Sequence, residues 1–484
     1  MLNRYTLNHF VARTVAFPLG AMLLLIMGAC SHQPSALNQI KQKGELVVVT
    51  RNSPTTYFEG PYGPTGLEYD LVSLFADYLG VDLKLITTAN FNAILPMVAH
   101  RDAHLAAAGL TITEARKNRV RFGPPYQSIT EQLVYRSGTS PPQDPDDLVD
   151  SSLEVIAGSS HAERLSNLAK YYKNLTWQEN NDVESEELLS LVWEKKIEYT
   201  VADSNEVALN QRYYPELRVG FNLSKPQQLA WAFPKGPDNS LYNEAVKFFN
   251  HIRQSGKLDQ LLDRYYGHVQ DFDYVGTRLF MKHIDERLPD YIHNFKQAAQ
   301  HNKMDWRLLA AIGYQESHWN PRAISPTGVR GIMMLTRTTA ADMGFSNRID
   351  PQNSIKGGAR YFRLLKNRLP RKIIEPDRTW FALAAYNIGF GHVEDARRIT
   401  RQRGSDPDKW VDVKTSLPLL TQKRWYEQLP HGYARGNEAL RYVENIRSYY
   451  DILVWQTDPN RLKLPNTPIK YPITISQYIP SPIL

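Results

Sequence analysis

Glu316 lies in the segment Trp306-Arg307-Leu308-Leu309-Ala310-Ala311-Ile312-Gly313-Tyr314-Gln315-Glu316-Ser317, an uncommon setting for a charged residue. Leu308, Ile312 and Glu316 stand at i, i+4 and i+8, so on a helix the carboxylate shares the apolar stripe. A carboxyl on an apolar face loses hydration, its pKa rises, and it can stay protonated near neutral pH as a general acid. The competing reading is that Glu316 reaches solvent at the helix end or pairs with an arginine such as Arg330. Asp305 is a suitable N-cap, and the helix must stop before Pro321.

The residues that follow supply further polar groups. Ser325-Pro326-Thr327-Gly328-Val329-Arg330-Gly331 is a loop whose glycines let backbone approach a ligand closely. It leads to Met333, Met334 and a helix capped by Thr336. A second apolar helix, Trp380-Phe381-Ala382-Leu383-Ala384-Ala385-Tyr386-Asn387, ends at Gly389 and brings a phenol and an amide to its C-terminus. Asp342, Asp350 and Glu375 are further carboxylates, but no motif places any of them beside Glu316.

Two kinds of element must carry these groups. From Gly44 the chain alternates short apolar runs with helical patterns: strands at 45–50 and 81–86 flank a helix at 71–79, and a second cycle runs from 153–157 to 199–202. This rhythm predicts two α/β lobes built on parallel sheet, with a cleft between them. After Asp271-Phe272-Asp273-Tyr274 the apolar spacing changes to three and four, which predicts a mainly helical domain. The division is thus 1–30 as an export signal, 31–267 as a two-lobed module and 268–484 as a helical domain with a proline-rich tail from about 456. Charge divides at the same place. Residues 31–267 hold 23 Lys and Arg against 29 Asp and Glu, whereas 268–484 hold 32 against 21. The basic half suits a polyanion such as nucleic acid, anionic lipid or cell-wall polymer.

The first module resembles the periplasmic solute-binding proteins for amino acids. Gly66-Leu67-Glu68-Tyr69-Asp70-Leu71 is similar to that family's entry into its first helix, and Thr111-Ile112-Thr113-Glu114-Ala115-Arg116 to its Thr-x-x-Arg clamp. Val120-Arg121-Phe122-Gly123-Pro124-Pro125-Tyr126 matches the segment after the clamp. The resemblance makes Asp70, Arg116 and Asp203 ligand-binding candidates. Arg116 would grip a carboxylate through paired hydrogen bonds, and Asp203 would take an α-amino group.

The second half resembles the catalytic domain of lytic transglycosylases, a goose-lysozyme-like helical fold. Glu316-Ser317 with Ser325, Gly328 and Gly331 matches the first motifs, Ala385-Tyr386-Asn387 a later one, and Tyr442-Val443-Glu444-Asn445-Ile446 the closing one. With the upstream module, the whole is similar to the membrane-bound lytic murein transglycosylase F branch. The resemblance implies Glu316 as the catalytic acid and base, with Ser325, Met333, Tyr386, Asn387 and Tyr442 binding substrate or supporting it. Tyr386 and Ser325 would hold the Glu316 carboxyl or a substrate acetamido group. Met334 departs from the pattern, standing where many members carry Gln. The implied reaction cleaves the β-1,4 bond between N-acetylmuramic acid and N-acetylglucosamine without water, leaving 1,6-anhydromuramic ends during cell-wall turnover. A lysozyme-like muramidase and a non-enzymatic solute receptor are the alternatives.

Arg4 and Arg13 precede an apolar run at 14–29 that is too short for an ordinary spanning helix, so the N-terminus reads as an export signal. Ile26-Met27-Gly28-Ala29-Cys30 resembles a lipobox, which implies lipidation at Cys30 and, with Ser31, the periplasmic face of the outer membrane. The expected partners are peptidoglycan, the inner leaflet of the outer membrane and an amino acid or muropeptide in the first module, not nucleic acid. With one cysteine and no phosphate loop or zinc-helix motif, no disulfide, metal or cofactor is expected.

Overall fold

The computed structural model describes residues 34–60, 63–88, 90–181, 183–269, 273–325 and 328–458. Cys30 and the tail beyond 458 lie outside the described residues. The first module contains two five-stranded sheets. In one the order is Asp82–Thr87, Glu45–Thr50, Leu105–Ala106, Ala232–Pro234, Val120–Phe122, and in the other it is Gln178–Asn180, Leu153–Ile156, Tyr199–Asp203, Glu131–Arg136, Leu217–Asn222. Each sheet is mixed rather than purely parallel. The chain leaves the first lobe after Val120–Phe122 and returns through Ala232–Pro234, so these strands run antiparallel to each other; Glu131–Arg136 likewise opposes both its neighbours. The two crossings pair as a short antiparallel ribbon, Gln127–Ile129 with Gln227–Leu229.

Helix α1 (Leu67–Leu79) covers the first sheet, with Leu71, Val72, Phe75 and Ala76 buried against Trp231, Phe248 and Phe249. Helix α2 (Lys257–Tyr266) closes the module and also touches the helical domain. That domain is built from α3 (Ile292–Asn302), α4 (Trp306–Ser317), α5 (Pro351–Arg368), α6 (Asp377–Ile388) and the long α7 (Gly436–Gln456), with shorter helices between them.

The domain's core forms around α4, whose residues 307–314 are all buried. A helix apolar on nearly every side must be surrounded, and α3 and α7 pack against it while α6 packs on α5 and α7. Asp305 caps it by accepting from the Arg307 N–H at 2.8 Å. The C-terminus turns through His318 and Trp319, both at positive φ (51° and 55°). Trp319 folds back under the helix, its indole donating to the Ala310 carbonyl at 2.8 Å. This sharp turn ends the helix one residue after Glu316.

The two halves join through α2 and α7. Arg447 of α7 is 1 % exposed and stacks over Trp380 at 4.7 Å. It donates to the Asp263 carbonyl at 2.6 Å, the Arg264 carbonyl at 3.1 Å and the Asp263 carboxylate at 3.3 Å. Lys414 pairs with the same carboxylate. Burial raises the Asp263 pKa, but Arg447 and Lys414 outweigh it and hold the carboxyl below its usual range. Removing one partner of a buried pair costs about 3–5 kcal/mol because the other charge stays desolvated. Arg447→Met is therefore expected to lower unfolding free energy by about 3 kcal/mol in urea titration, and a loss under about 1 kcal/mol would contradict this account of the junction.

Candidate active site

Glu316 is half-buried at the C-terminal end of α4. Burial pushes its carboxyl up to about 7, while a hydrogen bond from Tyr442 pulls the other way. The Tyr442 phenol, on α7, donates to Oε1 at 2.6 Å. Burial and then the nearby Glu316 charge keep the phenols of Tyr442 and Tyr386 well above their ordinary pKa, so both remain protonated donors. Tyr361 of α5 packs against Tyr386 with ring centroids 5.2 Å apart. The carboxyl thus faces an aromatic wall drawn from three helices.

The backbone beside it is fixed at three points. Ser317 donates to the Ile332 carbonyl at 2.8 Å, Ser354 accepts from the Met333 N–H at 3.1 Å, and Tyr386 donates to the Met333 carbonyl at 3.0 Å. Met333 itself is buried. An added Cβ at Gly313 would lie 3.1 Å from its Sδ, and one at Gly358 2.7 Å from its Cε, so these glycines make room for the side chain. The next residue, Met334, adopts a left-handed conformation with φ of 46°, which is uncommon outside glycine and asparagine.

The sequence candidates therefore separate. Tyr442 touches the Glu316 carboxyl, whereas Tyr386 reaches the Met333 carbonyl. Ser325 accepts from the Val329 N–H at 3.2 Å and ties its own loop. Met333 fills the core, and Asn387 is exposed at the end of α6. Arg330 makes no ion pair with Glu316 among the described residues. Asp350 caps α5, Glu375 binds Lys366 and Thr379, and Asp342 is exposed on a short helix. Ser354 and Tyr361 were not picked out from sequence. Their only signal there is helical register, since both lie on α5 close to the glycine pair 357–358.

In the first module the lobes are bridged by the chain's own residues. Arg116 is buried and donates to Glu163 at 3.1 Å and to the carbonyls of Thr111 and Gly158 at 3.2 Å each. Glu163 and Gly158 belong to the opposite lobe. Arg51 crosses the same cleft to Glu184, at 3.2 Å, and to Glu206, while Ser53 donates to Glu186 at 2.9 Å. Burial raises Glu184 to about 8 and Glu186 to about 7. Asp203 pairs with His161 at 3.0 Å in the second lobe. Asp70 bonds Arg264 at 3.0 Å and Tyr265 at 2.7 Å, away from Arg116 and Asp203.

The two halves match separate family models. Residues 293–409 match the transglycosylase SLT domain, and 46–268 match the bacterial extracellular solute-binding proteins, family 3. The class is therefore that of a peptidoglycan-cleaving lytic transglycosylase, a lyase, carrying a solute-binding module. Across nearly its whole length the chain is 50 % identical over 431 residues to the membrane-bound lytic murein transglycosylase F of Saccharophagus degradans (89 % of this chain, 86 % of the relative). It is 52 % identical over 430 residues to membrane-bound lytic murein transglycosylase F 1 of Alkalilimnicola ehrlichii (89 % and 87 %), and 50 % over 438 residues to the Pseudomonas fluorescens protein (90 % and 90 %). The chain belongs to the membrane-bound lytic murein transglycosylase F family and is associated with the cell envelope. Among the described residues no helix is long and apolar enough to cross a membrane.

A hydrogen bond to the ionised form lowers a carboxyl's pKa, and a bond to a charged group is worth about 1.5–3 kcal/mol. Tyr442→Phe removes that bond, so the Glu316 pKa should rise. The alkaline limb of the pH–rate profile should move upward by about one unit, read from turnover of soluble glycan between pH 5 and 9; a limb that stays in place or moves down would refute the assignment.

Proposed function

We propose that Glu316 carries both proton transfers of the transglycosylase reaction. In its protonated form the carboxyl gives its proton to the glycosidic oxygen between N-acetylmuramic acid and N-acetylglucosamine, and the C1–O bond breaks. The resulting carboxylate then takes the proton of the muramic C6 hydroxyl as that oxygen bonds to C1. A 1,6-anhydro ring closes, the acid is regenerated, and no water is consumed. The observation that carries this reading is a carboxyl raised to about 7 by burial, with a neutral phenol as its hydrogen-bond partner. An acid–base group is most effective when its pKa lies near the working pH. A glycosidase that uses water ordinarily needs a second carboxylate across the bond, and Asp350 and Glu375 are engaged elsewhere.

The first module, in this reading, binds a small amino acid or wall-derived peptide. Arg116 and Asp203 lie on opposite walls of the cleft. A ligand carboxylate on Arg116 would replace contacts that now join the lobes, so binding would change lobe closure and, through α2, the contact with the catalytic domain. Lipidation at Cys30 would hold the enzyme at the periplasmic face of the outer membrane, within reach of the wall.

Glu316→Gln keeps the shape and removes the acid; turnover of sacculi should fall at least about a hundredfold with the fold intact by circular dichroism. Wild-type products should carry anhydro ends, and fragments heavier by one water would instead support the muramidase reading. For the module, calorimetry with free amino acids and muropeptides should detect binding that Arg116→Ala abolishes. Unchanged binding in that variant would remove Arg116 from the ligand site.

A further inference from the structure

The catalytic domain carries a second polar feature, remote from Glu316. On α5, Arg360, Arg363, Leu364 and Arg368 fall at i, i+3, i+4 and i+8, and all four are exposed. Together with His301 and Asn302 at the end of α3 they line a groove of about 640 Å³, within the size range of peptide and small-molecule sites. The guanidinium planes at both ends are held in place: Arg360 stacks over Phe345 at 4.7 Å and donates to the Met343 carbonyl at 2.8 Å, and Arg368 stacks over Phe390 at 4.3 Å. Stacking occupies the face of a guanidinium and leaves N–H edges for an anion. Among the described residues none of the three arginines has an acidic partner, although Lys366 in the same stretch is paired with Glu375. Arg363, between them, donates to the His301 carbonyl at 3.4 Å, and three cations facing one groove without carboxylates of their own, two of them held by stacking, are complementary to an anionic ligand.

We infer that this groove is an exosite for the free carboxylates of peptidoglycan stem peptides. The inference rests on peptidoglycan as substrate and adds a second point of attachment to it. Stem peptides present carboxylates at regular intervals along the polymer, and a guanidinium edge matches a carboxylate through two parallel hydrogen bonds. His301 and Asn302 lie just before the first turn of α4, and Glu316 lies at its other end, about 15 Å along the axis. The groove therefore holds a stretch of polymer away from the bond being cut, and its effect falls on retention at the wall rather than on the chemical step.

The test uses the full chain. Arg360→Glu, Arg363→Glu and Arg368→Glu are combined in one variant. A control of equal charge change combines Lys41→Glu, Lys170→Glu and Lys195→Glu, exposed positions of the first module. Binding to intact sacculi is measured by co-sedimentation, and turnover on short soluble glycan fragments is measured separately. Exposed ion pairs are individually weak, so the arginine variant should bind sacculi about tenfold more weakly than wild type or the control. Its turnover on soluble fragments should be unchanged. Wild type should bind sacculi stripped of stem peptides by an amidase no better than the variant binds intact sacculi. Equal loss in the control, or undiminished wild-type binding to stripped glycan, would overturn the inference. So would a defect seen only with phosphatidylglycerol vesicles, which would assign the groove to a lipid surface. Loss of soluble-fragment turnover in wild type would count against the enzymatic reading instead, so the two failures can be told apart.

Discussion

Desolvation of one carboxyl organises this half of the molecule. Glu316 cannot be both half-buried and near pH 7 in its proton affinity unless water is kept from it and no cation stands beside it. α4 is enclosed by α3 and α7, so its last turn is already drawn into the core. The neighbouring hydroxyls of Tyr442 and Tyr386 keep their protons. A lysine or arginine in place of either tyrosine would hold Glu316 ionised. The wall is therefore aromatic, polar enough to satisfy the carboxyl and neutral enough not to discharge it.

The packing beneath the site serves the same end. Met333 occupies space that side chains at Gly313 and Gly358 would need, and its backbone N–H and carbonyl are each held by a hydroxyl from another helix. The loop beside the carboxyl is thereby tied to α5 and α6 rather than left to move with solvent. Positive φ at Met334 is the local cost of turning the chain immediately after that anchor, and surrounding contacts must overdetermine such a conformation for it to persist. Gln at this position would add an amide, whereas Met adds only a thioether with weak acceptor character.

In the first module the same balance of burial and charge joins the lobes. Arg51 and Arg116 each cross the cleft to acidic or carbonyl partners, and the carboxylates there outnumber the cations close to them. Burial raises Glu184 and Glu186, whereas at Glu206 burial is outweighed by Arg51 and His161, which hold the carboxyl below its usual range. The module is joined to the helical domain through α2, where Arg447 binds two successive carbonyls and the Asp263 carboxylate.

Much of this was legible in the sequence wherever the physics is local. The α4 bounds followed from the Asp305 cap and the approach of Pro321, and the change of apolar period marked the passage from α/β lobes to helices. The stripe Leu308, Ile312, Glu316 already placed the acid on a desolvated face, because helical spacing alone determines which residues share a side. Sheet direction was not legible in this way, since whether Ala232–Pro234 runs parallel or antiparallel depends on where the chain re-enters a lobe more than a hundred residues later. Nor were the partners. Tyr442 lies 126 residues from Glu316, and no periodicity says which of two tyrosines on different helices will meet the carboxyl. Asp70 and Asp203 could be named as acids in family positions, yet their neighbours, Arg264 with Tyr265 and His161, were set by how distant helices pack. Sequence determined which groups would be desolvated, because burial follows local pattern; tertiary structure decided what each desolvated group would touch, because a hydrogen bond needs a partner within about 3 Å and only the folded chain brings one there.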